Sequence, residues 1–159
     1  MKATTFVSGH NRRVAERVAR LSAESRARGQ RSACLPAVAE VVEEVLSLIA
    51  IEEDLFYPVL SSIPSALLAP ARLSSLRGEL AHIEASLHGV MGATDATFGE
   101  RVAALEDAVR THAAADDALL PVAEGGVDAS VLDEVGAQME RFYAGSVAAA
   151  HSPASRARR

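Results

Sequence analysis

Cysteine is nearly absent from this chain, and the single Cys34 excludes an intrachain disulfide. That fits a reducing, cytoplasmic compartment. Aromatic residues make up only 4%, against a large share of Ala, Leu, Val, Arg and Glu, which disfavours sheets and favours helices. Positive charge is not in excess either. The formal net charge is −5, so no global basic surface is offered to nucleic acid. No apolar run approaches the roughly 20 residues that a membrane span needs. The N-terminus does not pair a charged segment with an apolar run, so it does not read as a signal peptide. What is present is 159 residues, enough for one domain with one sizeable core.

The apolar residues repeat with helical spacing. A first helix is expected from a cap at Ser8 to about Arg28, with Val7, Val14, Val18 and Leu21 inward and His10 on the same stripe. Gly29 suits its stop. Pro36 suits the start of a second helix, which runs to about Leu60 with Pro58 in or ending its last turn. A connector from Ser61 to Ala69 leads to a third helix, Pro70 to about Met91, on the stripe Leu73, Leu76, Leu80, Ile83, Leu87 and Val90. His82 is adjacent to that stripe rather than centred on it. The fourth helix is expected from about Asp95 to Leu120, with Val102, Leu105, Val109, His112, Asp116 and Leu119 inward and Pro121 ending it. A shorter fifth helix, about Ala129 to Ala148, turns Val131, Val135, Met139 and Phe142 inward. The fold class is therefore all-α: an up-down-up-down four-helix bundle with an additional short C-terminal helix. The bundle occupies residues 1–151. The tail, 152–159, is small, polar and basic, and is expected to be disordered.

The second helix carries the feature that asks for an explanation. Its stripe reads Val41, Val45, Leu48, Glu52, Leu55, so a carboxylate stands among apolar positions. Burying it is costly unless something positive pairs with it. Unexpected polar groups occupy the other stripes or their margins: His10, His82, and His112 with Asp116. The last two are spaced i, i+4 and share one helix face. Imidazole and carboxylate ligands together suit iron, manganese or zinc. The alternatives without metal are a solvated Glu52 at the stripe's edge and a neutral His112–Asp116 hydrogen bond. Tyr57 and Tyr143 read as core or rim residues, and His88 as surface. Cys34, in a loop, is open to oxidation or an intermolecular disulfide.

These residues resemble the hemerythrin-like family, the HHE cation-binding domain. That family's second-helix pattern is close to H-x-x-x-E-E-E-x-F-Y-P. Here the region reads Leu48-Ile49-Ala50-Ile51-Glu52-Glu53-Asp54-Leu55-Phe56-Tyr57-Pro58. The fourth-helix pattern, H-x-x-x-E with an apolar pair and Pro, is similar to His112 through Pro121. His10 matches the single His of the first helix, and Ala81-His82-Ile83-Glu84-Ala85 the third-helix pattern. The resemblance covers about residues 7–122. It implies a non-haem iron centre, mono- or di-iron, with His10, Glu52, His82, His112 and Asp116 as ligands. Glu52 and Asp116 would be the candidates for bridging two irons, with Asp117 a rival of Asp116. Leu48 stands where the family has a His, which removes one nitrogen ligand and leaves an apolar opening beside the metal. The implied roles are binding or sensing O2, NO or peroxide, or handling iron. A di-iron oxidase or peroxidase and a metal-free interaction module are the alternatives.

Overall fold

Each long helix buries one stripe, and the stripes share a single core. The computed structural model describes residues 1–150, and the backbone alone for 149–150. His151 and the expected disordered tail, 152–159, lie outside the described residues. Five long helices account for most of the chain: α1 (Ala3–Arg28), α2 (Leu35–Ile51), α4 (Pro70–Met91), α5 (Asp95–Asp117) and α7 (Ala129–Ala150). Between them, α3 (Tyr57–Leu60) and α6 (Leu120–Gly126) are short, and Arg31–Cys34 is a 3₁₀ turn. Helices α1, α2, α4 and α5 pack in a ring, each against its neighbours in sequence, with α1 closing on α5. The bundle and the added C-terminal helix are thus as the periodicity predicts. Helix α7, 22 residues long, lies along the side of the bundle on α1 and α2. No helix among the described residues is long and apolar enough to cross a membrane.

Several boundaries follow the expected local chemistry. Gly29 closes α1 in the left-handed region, at φ 68°. Pro36 and Pro70 sit in first turns, and Thr94 with Thr97 forms a reciprocal cap at the start of α5.

Several expectations are corrected. Helix α1 begins at Ala3, not after Ser8, because Ala3, Phe6 and Val7 are buried. Its start lies against α7 at Gly136, where a Cβ would stand 1.9 Å from the Met1 carbonyl oxygen. Pro121 begins α6 rather than ending a helix. On α7 the inward residues are Leu132, Val135 and Met139, whereas Val131 and Phe142 are exposed. Cys34 is buried, and burial pushes its thiol up, so it is not poised for oxidation.

A further correction concerns the segment after α2. Residues Glu52–Phe56 form a π turn, closed by the Tyr57 amide donating to the Glu52 carbonyl five residues back. Pro58 lacks an N–H, and in an α-helix its ring would collide with the carbonyl of Asp54. Widening the turn relieves that collision and inserts one residue into the helical phase. The inward position after Glu52 therefore passes from Leu55, which is half-buried, to Phe56, with Tyr57 buried beside it.

Candidate metal centre

The π turn that follows α2 opens on Glu52, and α5 delivers His112 and Asp116 from successive turns. All three are buried. Each offers one ligand atom, and those atoms lie within 4.8 Å of one another. His112 Nε2 is 2.7 Å from Glu52 Oε2 and 3.4 Å from Asp116 Oδ2. Of the five residues expected as ligands, these three come together. Asp117 is exposed, so the inward acid of α5 is Asp116.

The other two expected ligands stand apart from this cluster. His82 is exposed on α4. At about 100° per residue it lies some 120° from the centre of the Leu76–Leu80–Ile83–Leu87 stripe, too far round to reach inward. His10 is buried but faces Glu44 on α2, with Nε2 3.3 Å from Glu44 Oε2.

Three partners of the cluster are not marked out by the sequence in these roles. Glu79, half-buried on α4, places Oε2 3.3 Å from His112 Nδ1. It is one turn from both Leu76 and Ile83, about 60° off the stripe's centre, and that flank position was the available signal. Asn11 donates from Nδ2 to Asp116 Oδ2 at 2.9 Å. It sits four residues after Val7 and three before Val14, on the buried face. The Tyr57 phenol, brought inward by the π turn, donates to Glu52 Oε2 at 2.8 Å.

The electrostatics are those of negative charges gathered out of water. For His112, burial alone would push the imidazole down. The hydrogen bond and charge of Glu52 outweigh it, with Asp116 and Glu79 adding to them, and raise it to about 9. Asp116 is pushed up to about 8 by burial, reinforced by the Glu52 charge. Tyr57 is raised by burial and by the Glu52 and Asp116 charges, so it stays a neutral donor. Without a metal, the His112 imidazolium pairs with Glu52 while Asp116 keeps its proton through neutral pH.

The donor set fits a metal on three counts. Glu52 Oε1 and Asp116 Oδ1 are buried with no hydrogen-bond partner, which is costly unless a cation satisfies them. Two oxygens and one imidazole nitrogen suit iron, manganese or zinc. The remaining His112 nitrogen faces Glu79, the carboxylate–histidine arrangement that orients a ligating ring. Leu48 is 1% exposed and fills the position where an opening beside the metal was expected. Comparison with curated proteins and with solved structures finds no match. A family model described as the Hemerythrin HHE cation binding domain matches residues 2–141.

Proposed function

The chain belongs to the Hemerythrin HHE cation binding domain family, and on that premise we propose that it holds one non-haem iron on Glu52, His112 and Asp116. The pair of orphaned carboxylate oxygens inside the bundle carries this reading. His112 would ligate through Nε2 while Nδ1 donates to Glu79. Asn11 and Tyr57 hold the two carboxylates in place, so the ligands are fixed before a metal arrives. A second iron in the same centre is disfavoured by Leu48, which offers no donor, and by His10, which turns to Glu44.

When bound, iron supplies a redox-active Lewis acid. Three protein ligands leave coordination positions free for O2, NO or peroxide. The apolar neighbours Leu48, Phe56 and Val109 keep bulk water from the centre, and the neutral Tyr57 phenol is a hydrogen-bond donor at its edge. Binding or sensing such a ligand, or handling iron itself, is the role we assign.

Anaerobic loading with ferrous iron, gel filtration and metal analysis test the reading. One iron per chain should be retained that His112→Ala and Glu52→Gln both lose, and NO should change the spectrum of that iron. Equal iron content in the wild type and in both folded variants would refute it.

A further inference from the structure

A second set of buried polar groups lies outside the Glu52 centre. His10 is fully buried, and neither ring nitrogen has a hydrogen-bond partner. Its Nε2 is 3.3 Å from Glu44 Oε2, an oxygen that also lacks one. The two atoms stand at ion-pair distance without the alignment of a hydrogen bond. Ligand atoms bound at about 2.1 Å to one ion stand about 3.0–3.4 Å apart, so this separation suits two donors facing a common point. The other Glu44 oxygen accepts from the Tyr143 phenol at 2.8 Å. The Tyr143 ring meets the His10 ring edge-on, with centroids 5.0 Å apart. Imidazole, carboxylate and phenol from α1, α2 and α7 thus converge on one place.

The place is reachable. Glu44 and Tyr143 line a cavity of about 400 Å³ between α2 and α7. Glu43, Glu40 and Arg17 also line it, with Glu40 paired to Arg17 and Arg20. Arg13 lies over the Tyr143 ring, 4.8 Å from its centroid, and its charge partly offsets the burial and the Glu44 hydrogen bond and charge that push the phenol up. Leu48, buried and apolar, sits one turn from Glu44 and one turn from Glu52 on the same stretch of helix.

We propose that His10, Glu44 and Tyr143 form a second divalent-cation site, separate from the Glu52 centre and entered through the α2–α7 cavity. One nitrogen and two oxygens, completed by water, suit zinc, manganese or ferrous iron. On binding, the phenol proton leaves to solvent and its oxygen lone pair goes to the cation. No electron is transferred. The proposal uses none of the residues assigned to the iron centre, so either can fail alone.

Titration of the metal-free protein with Zn²⁺ tests it, read by calorimetry and by the near-ultraviolet tyrosine difference spectrum. The wild type should bind two ions. His10→Ala and Glu44→Gln should each lose one and keep the ion that His112→Ala loses. Tyr143→Phe should weaken the second ion by about tenfold or more and abolish its tyrosine signal, since Tyr57 is the only other tyrosine. A wild type that binds one ion overturns the proposal. So does loss of the same ion in His10→Ala and His112→Ala, which would place His10 in a shared centre. Should His10→Ala not fold, Glu44→Gln decides: a native circular dichroism spectrum with both ions retained refutes the site.

Discussion

Raising the pH should weaken this protein when its metal is removed and strengthen it when the metal is present. The metal-free sign follows from His112 and Asp116. The folded protein holds the His112 proton up to about 9, against 6.5 for an ordinary imidazole. It holds the Asp116 proton to about 8, against 3.8. Both values move upward on folding, so the folded state binds more protons than the unfolded one. The stabilisation is fully present below the unfolded values and is lost as pH climbs through the folded ones. Between about pH 6 and 9 both losses run in the same direction. Glu44 is held low by His10, so its contribution changes only in acid, below this interval. Each tenfold gain in proton affinity is worth about 1.4 kcal/mol, and the two protons answer to the same Glu52 charge. The pair therefore amounts to a few kcal/mol of a total near 5–15. A cation replaces those protons, and its affinity rises as its ligands deprotonate, so loading reverses the slope. Urea denaturation at pH 6 and 9, with EDTA and separately with anaerobic ferrous iron, measures both slopes. Stability of the EDTA-treated protein that is flat or rising across the interval would refute the reasoning.

Three further predictions concern single side chains. Tyr57→Phe removes a donor from buried Glu52 and should cost about 1–3 kcal/mol without metal, and less with it. Equal urea midpoints for mutant and wild type in EDTA would contradict this. Leu48→Ala should cost about 2–5 kcal/mol by opening a cavity in the core, while metal analysis finds the His112-dependent iron still bound. Gly136→Ala puts a Cβ 1.9 Å from the Met1 carbonyl oxygen and should cost about 1–3 kcal/mol. Deleting residues 1–2 should recover much of that loss in thermal melts, which an unrelated defect in α7 would not allow.

The bundle is legible because its stripes are long and regular. Val102 through Asp116 on α5, and Leu119 just beyond it, are buried at every position the spacing marks. Glu52, His112 and Asp116 are legible for a related reason: a polar residue in an otherwise apolar stripe breaks the pattern. The misses occur where periodicity carries little information. On α7, apolar residues fall on more than one face, so the spacing favours Val131 and Phe142 over Leu132. His82 is drawn in by residue type and motif, although its phase points outward. Glu79 lies at the flank of its stripe, where a carboxylate reads as solvated, and Asn11, though on the buried face, is not a conspicuous ligand type. The partner of His10 cannot be read locally, because Glu44 and Tyr143 reach it from two other helices, 34 and 133 residues further along the chain.

The wide turn at Glu52–Phe56 makes the chain here one residue longer than an ordinary helical path would need. Glu53 and Asp54 point away from the core, so their identities are free to drift. Losing one residue of 53–55 would let the turn close to an ordinary one, with Phe56 then third after Glu52 and still facing inward beside Tyr57. The burden would fall on Pro58, whose ring would meet the carbonyl four residues before it. Relatives of this chain with a shortened segment should therefore keep the tyrosine and replace the proline.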